Sequence, residues 1–337
     1  MNLPFPQSCP LIRPFKFLSR WRSLPPYELL SYLFMYLSVP MLAFGIQPYT
    51  FDMYYVLLFT VITMYAGFFA ALIWNDITDS DIDAKVHPDR PIPSGRISKK
   101  RFFEIALVFS ALTFIGSVLV SVWCLLVVTG AALFVAVHDK YLKKRVRIPA
   151  YSEIFTPIQW IVVAFFGYIA IWTVIPQPTQ LTVTLPILGS IWINSFELQN
   201  MLLLVLFIYF TDNAHDIPEG IHDIEGDRVQ GVRTYATSFG ERTAAYISFF
   251  WFALSIVFGT LLFLRTSLTL VFFIPFVLLW VYTISFSIRL LKKDTIEMHT
   301  YSSVVGRKGF NFLLFSFDLM FLDLLLHLVF PAINFLI

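Results

Sequence analysis

The segment WNDITDSDIDAKVHPDRPIPSGR, Trp74 to Arg96, begins where a long apolar run ends. Asn75, Asp76, Asp79, Asp81 and Asp83 set five oxygen-bearing side chains within nine residues. If the preceding helix continues through them, Asp76, Asp79 and Asp83 lie three and four apart and share one face, while Asp81 points to solvent. Carboxylates grouped in this way repel one another unless positive charge sits between them. A hard divalent cation such as Mg2+, bridging to phosphate oxygens, meets that need. Arg90 and Arg96 follow at once, the second in a Pro/Gly-rich turn, PIPSG. A second segment, DNAHDIPEGIHDIEGDRVQGVR from Asp212 to Arg233, has the same character. Asp212, Asp216, Glu219, Asp223, Glu225 and Asp227 follow another apolar run and precede Arg228.

The runs that deliver these clusters set the fold class. Of 337 residues, 58% are apolar and 14% charged, against about 25% charged in a soluble domain. A water-soluble core cannot hide so much apolar side chain. Cys9 and Cys124 fit neither a disulfide framework nor a metal knuckle. No short apolar core ending in a small-residue cleavage site opens the chain, so the first run is expected to be a span rather than a signal peptide. Runs near the ~20 residues needed to cross hydrocarbon fall at 28–46, 54–74, 102–120, 122–138, 154–174, 190–211, 243–263, 267–288 and 310–330. Pro40 is expected to kink the first. The expected architecture is all-α: a polytopic membrane protein with nine transmembrane helices.

Charge placement tests that count. Of 24 Lys and Arg, 23 lie in 1–25, 75–101, 138–153, 212–242 and 289–309, and Arg265 is the exception. Such one-sidedness puts the N-terminus and both acidic segments on the cytoplasmic face. It also accounts for the basic residues, leaving no support for nucleic-acid binding. The expected division is a tail, 1–25, and one transmembrane domain, 26–337, with loops 75–101 and 212–242. In the tail, FKFLSRW reads either as an interfacial amphipathic segment or as an N-terminal tail carrying inside charges. The second and sixth runs each end in an acidic cluster followed by a loop and a hairpin of spans, but the local sequences differ too much to prove a duplication.

Either cluster alone reads equally well as a solvated loop. Two at one face, at helix ends and followed by Arg, point to a diphosphate held through Mg2+. At a membrane face the candidate is an isoprenyl diphosphate with its tail in an apolar groove. Metal and cations would stabilise the departing diphosphate and leave an allylic cation. The aromatic residues, 37 Phe among them, suit such a groove and could shield the cation, although most must be ordinary packing. A transporter would gather its polar groups at the midplane, whereas these acids gather at one face. Asn194, Glu197, Asp318, Asp323 and His327 lie within spans, where polar groups are expensive. The last three are expected to face the bundle and hydrogen-bond there.

The chain resembles the UbiA family of intramembrane prenyltransferases. Its first motif, NDxxDxxxD, is matched by Asn75, Asp76, Asp79 and Asp83, and HPDRPIPSGRIS, His87 to Ser98, looks like the loop that follows it. Asp223-Ile-Glu-Gly-Asp227-Arg228 resembles the clearest part of the second motif, and GVRTYATSFG, Gly231 to Gly240, its tail. The resemblance covers about 75–310. It implies nine helices around a central cavity open to lipid, and two Mg2+ ions held by aspartates of both motifs. The expected ligands are Asp76, Asp79, Asp83, Asp216, Asp223 and Asp227. Asn75, Arg90, Arg96, Arg228, Gln159 and Tyr141 with Lys144 or Arg145 are expected to contact substrate. The implied partners are an isoprenyl diphosphate, membrane lipid and a lipophilic acceptor, which by family frequency is aromatic. A membrane terpene cyclase using the same ionisation without an acceptor is the alternative.

One departure stands out. Several branches of the family carry Lys-Asp just upstream of the match to Asp223, where this chain has Glu219 and Gly220. Either Asp216 takes over from the previous turn, which is the expectation, or the cluster holds its metal less conventionally. Pro218 makes a regular helix there doubtful.

Overall fold

The computed structural model describes residues 25–45, 48–86, 88–142, 145–175, 181–186 and 189–330. FKFLSRW and Lys144 lie outside them. Among the described residues the long helices are α1 (Pro26–Phe44), α2 (Phe51–Thr78), α4 (Lys99–Val120), α5 (Val122–Val137), α7 (Ile158–Val174), α8 (Ser195–His222), α11 (Glu241–Arg265), α12 (Leu270–Leu291) and α13 (Thr295–Val329). Short helices join them: α3 (Ser80–Val86), α6 (Tyr151–Phe155), α9 (Ile224–Gln230) and α10 (Tyr235–Phe239), with a π-helical turn at His138–Leu142. Side-chain caps at Thr50, Ser98, Ser121, Asn194, Thr269 and Asp294 satisfy the first orphan N–H groups of most long helices. Ser121 both ends α4 and caps α5 in extended backbone, which is the tight hairpin expected between the third and fourth runs.

Eight of the described helices are long and apolar enough to cross a membrane. The sixth expected span lies in α8, as long as α2 at 28 residues, but Glu197, Gln199, Asn200 and Asp212 leave it outside that set. Its start also differs from expectation. Residues 189–193 are not helical but form strand β2 (Gly189–Ile193), paired antiparallel with β1 (Leu181–Leu185). Leu181, Val183 and Leu185 alternate with Thr182 and Thr184, so an antiparallel strand pair includes part of the Pro/Thr-rich linker.

Side-chain contacts give the helix directions. Tyr55 meets Leu119 and Trp74 meets Ser110, so α2 and α4 are antiparallel. Tyr65 donates to the Leu29 carbonyl while Phe44 stacks on Tyr49, so α1 and α2 are too. Tyr32 against Trp160 and Val39 against Gly167 make α7 parallel to α1. Glu153 beside Gly220 and Glu197 near Tyr168 make α8 antiparallel to the α6–α7 segment. The C-terminal ends of α2 and α8 therefore share one end of the bundle with the starts of α1 and α6.

Outward faces are apolar and exposed, as at Leu107, Val108, Leu112 and Ile115 of α4 and Ile274, Leu278 and Val281 of α12. Such faces belong against lipid, where the helices satisfy their own backbone groups. Inside, Phe207, Phe272, Phe276, Phe312 and Phe317 are fully buried and in mutual ring contact. Of the three polar residues of the last span, Asp318 and Asp323 hydrogen-bond inside the bundle as expected, whereas buried His327 Nδ1 has no hydrogen-bond partner among the described residues. Asp323 is buried and accepts from the Thr269 N–H and Oγ1 at 2.6 and 2.7 Å, tying α13 to the start of α12. Asp318 accepts from Ser31 Oγ at 2.8 Å, and His327 Nε2 lies 3.9 Å from Asp323.

Candidate active site

The first acidic segment is not one continuous helix. α2 stops at Thr78, Asp79 turns the chain, and α3 starts at Ser80. The break is slight, because the Asp79 N–H still reaches the Asn75 carbonyl (2.9 Å) and the Asp83 N–H reaches the Asp79 carbonyl (2.8 Å). Asp76 and Asp83 are buried, Asp79 is half-buried and Asp81 is exposed. Asn75 Nδ2 donates to Asp79 Oδ2 at 3.0 Å. Arg90 Nη1 pairs with Asp83 Oδ1 at 2.7 Å, while buried Asp83 Oδ2 accepts no hydrogen bond among the described residues. Lys99, at the start of α4, donates to Ser80 Oγ at 2.7 Å and adds a second cation beside the cluster. Arg96 is exposed and spans its own turn, donating to Ser94 Oγ and the Asp89 carbonyl.

The second segment repeats the device. α8 stops at His222, Asp223 turns the chain, and α9 follows. The Asp223 N–H reaches the Glu219 carbonyl (2.9 Å) and the Asp227 N–H reaches the Asp223 carbonyl (3.0 Å). In this register Asn75, Asp76, Asp79 and Asp83 correspond to Glu219, Gly220, Asp223 and Asp227. Contrary to expectation, Pro218 does not interrupt the helix. A proline leaves the carbonyl four residues earlier without its donor, and here Ser248 Oγ of α11 donates to the Ala214 carbonyl at 2.7 Å.

Because the helix persists, ligand atoms of His215, Asp216 and Glu219 all lie within 4.8 Å of one another. His215 Nε2 lies 2.9 Å from Asp212 Oδ1, and Nδ1 lies 3.4 Å from Asp216 Oδ1. These residues extend α8 past its apolar stretch. Burial opposes the charge on His215, but Asp216, Asp212 and Glu219 outweigh it and raise its pKa to about 9. Gly306 and Gly309 of α13 let this turn approach closely. A Cβ on Gly306 would lie 2.5 Å from Glu219 Cγ, and one on Gly309 would lie 2.6 Å from His215 Cβ.

An aromatic wall runs from this cluster toward α2. Phe310 packs 5.1 Å from the His215 ring and 6.3 Å from Trp160, Trp160 lies 5.4 Å from Tyr32, and Tyr32 lies 4.8 Å from Phe68. Other expected substrate residues stand apart. Arg228 pairs with Glu225 at 2.9 Å, both exposed. Of the expected metal ligands in this segment, Asp223 is exposed and Asp227 half-buried. Lys140 and Arg145 lie 5.1 and 5.8 Å from the Tyr141 ring centre, so part of the basic patch does gather around that tyrosine. Gln159 is exposed, and Asn194 is a helix cap.

Sequence reasoning missed Glu153, Lys99, His215 and Arg307. Arg307 of α13 donates to Glu28 and Tyr27 at the start of α1, at the same end of the bundle. Glu153 is buried and sends one oxygen to the Tyr235 N–H. The donors in both clusters are mainly carboxylates. Three of their buried oxygens, Asp83 Oδ2, Asp212 Oδ2 and Glu153 Oε1, accept no hydrogen bond among the described residues. That donor set fits a hard, oxygen-seeking cation such as Mg2+.

Comparison with known proteins identifies the fold and the family. Digeranylgeranylglyceryl phosphate synthase of Sulfolobus acidocaldarius is 26% identical over 190 residues, 56% of this chain. The match spans only 57% of that relative's length. Two solved structures share the fold. An apo UbiA homolog from Aeropyrum pernix K1 is 18% identical with a TM-score of 0.60, covering 85% of this chain and 97% of its own. A UbiA homolog from Archaeoglobus fulgidus bound to GPP and Mg2+ is 17% identical with a TM-score of 0.52, covering 88% and 98%. The UbiA prenyltransferase family pattern itself matches residues 32–302, from within α1 to within α13. With a match of that extent, this multi-pass chain belongs to the UbiA prenyltransferase family.

Proposed function

We propose that this chain transfers an isoprenyl group from an isoprenyl diphosphate to a lipophilic acceptor within the membrane, in a Mg2+-dependent reaction that releases diphosphate. The observation that carries this reading is the convergence of two carboxylate clusters at one end of an apolar bundle, each with a buried unpartnered oxygen. Asp76, Asp79, Asp83, Asp216, Asp223 and Asp227 would hold the metal, which when bound supplies positive charge to the leaving diphosphate. Arg90 orients Asp83 and adds charge beside the diphosphate, and Lys99 does the same from α4. Tyr141, Lys140 and Arg145 form a further cationic approach. Tyr32, Phe68, Trp160 and Phe310 present ring faces and edges that exclude water and shield an allylic cation.

The A. fulgidus homolog's binding of GPP with Mg2+ supports the donor class. For the acceptor, the name of the S. acidocaldarius relative supports a glyceryl phosphate over the aromatic ring suggested by family frequency. The cytoplasmic side is the reading for both motifs, on the strength of the Lys and Arg distribution.

The test is incubation of the purified chain with Mg2+ and labelled geranyl, farnesyl or geranylgeranyl diphosphate. Each is run alone, with glyceryl phosphates, and with aromatic acceptors. An acceptor-dependent prenyl adduct is expected. A cyclised hydrocarbon or alcohol formed without acceptor would replace transfer by terpene cyclisation.

A further inference from the structure

Gly220 is the counterpart of Asp76, yet the space its side chain would fill is occupied. A Cβ built there would fall well inside van der Waals contact with Glu153 Oε1, and 3.5 Å from the Glu153 carboxyl carbon. Bond lengths of about 1.5 and 1.2 Å put an aspartate's own carboxylate oxygen roughly 2.4 Å from its Cβ. The Glu153 oxygen therefore lies about as far from that Cβ as an aspartate's own carboxylate oxygen would, although it comes from α6, far away in sequence.

Its environment sets it apart from a structural tie. The residue is 5% exposed and its Oε2 accepts the Tyr235 N–H, which fixes the carboxylate. Oε1 is buried and has no hydrogen-bond partner among the described residues. The charges of Asp216 and Asp227 both act on Glu153. One oxygen is thus anchored, and the other is presented bare to the second cluster. A side chain serving only to tie α6 to α10 needs a single acceptor, which a glutamine supplies equally well.

We propose that Glu153 supplies, from a different helix, the metal-ligating carboxylate that the second motif lacks at Gly220. Gly220 is small because Glu153 fills its side-chain space. The inference rests on the reading of both clusters as a metal–diphosphate site.

The experiment titrates Mn2+, a paramagnetic cation that takes the same oxygen ligands, into the purified full chain with inorganic pyrophosphate. Free Mn2+ is read by electron paramagnetic resonance. Glu153→Gln keeps the acceptor for Tyr235 and removes the charge. Mn2+ binding is expected to weaken by at least about tenfold, since losing even an outer-shell partner costs that much. Glu153→Ala should weaken it as well, and Glu153→Ala/Gly220→Asp should regain affinity by rebuilding the carboxylate on α8. Unchanged affinity in Glu153→Gln, or a double variant no tighter than Glu153→Ala, overturns the proposal while leaving the metal–diphosphate reading intact. Absence of Mn2+ binding by the unsubstituted chain overturns both.

Discussion

Asp79 and Asp223 adopt the same backbone conformation, φ −93° and ψ 4° for one, φ −95° and ψ 8° for the other. Each ends a 28-residue helix and starts a 7-residue one. The two motifs are therefore one structural device used twice, although their sequences differ too much to prove a duplication. At each junction the acid four residues on still donates its N–H to the carbonyl of the turning residue, Asp83 to Asp79 and Asp227 to Asp223.

Equivalent places predict equivalent losses. Asp79→Ala and Asp223→Ala should each lower kcat/KM by on the order of 100- to 1,000-fold, the range seen when a preorganised electrostatic group is removed. Both variants should keep the melting temperature of the parent in detergent, because neither side chain is fully buried. Normal prenyl transfer by either variant would remove it from the metal set.

The Asp83–Arg90 pair predicts a graded response. Arg90 engages one carboxylate oxygen and leaves the other bare. Asp83→Asn keeps an acceptor for Arg90 but loses the charge, so activity should fall by on the order of 100-fold. Arg90→Ala leaves the ligand charge in place and removes one charge-assisted bond, so its loss should be nearer tenfold, expressed mainly in KM for the diphosphate. Steady-state kinetics at saturating Mg2+ separate the two. Arg90→Ala more damaging than Asp83→Asn would mean that the arginine, rather than the carboxylate, dominates the site.

Much of this arrangement was legible in the sequence, and the exceptions have physical causes. Hydropathy located the long helices and the spacing of Asp76, Asp79 and Asp83 located the first cluster, because both are local properties. The hairpin at 181–193 was hidden by its proline-rich setting, although Leu181, Val183 and Leu185 alternate with threonine as strands do. Glu153 could not be found, because its meaning depends on a helix distant in sequence. The only trace was an absence at Gly220. Pro218 misled for the same reason, since the donor that rescues the Ala214 carbonyl belongs to α11.

That rescue is itself testable. Ser248 is buried, and its hydroxyl supplies the donor that Pro218 cannot give. Ser248→Ala should cost about 1–3 kcal/mol, the penalty for an unsatisfied buried carbonyl. It should also loosen the turn that holds His215, Asp216 and Glu219. A companion substitution, Pro218→Ala, restores the backbone N–H and should make Ser248→Ala nearly neutral. Thermal unfolding of the two singles and the double, followed by tryptophan fluorescence, gives the coupling. Additive effects would show that Ser248 does not compensate for the proline.

Gly309 controls how closely α13 approaches the same turn. A Cβ there would lie 2.6 Å from both His215 Cβ and Phe252 Cζ, and 3.2 Å from His215 Cα. Phe252 can tilt away, but the His215 backbone belongs to a helix fixed on both sides and cannot. Gly309→Ala should therefore cost about 1–3 kcal/mol through overpacking. It should displace His215 from Asp212 and Asp216, lowering kcat/KM while the enzyme remains folded. Trimming the ring with Phe252→Leu should recover some stability but little activity, because the contact with His215 remains. Equal recovery of both would place the strain on Phe252 and leave the turn that holds His215 untouched by the glycine.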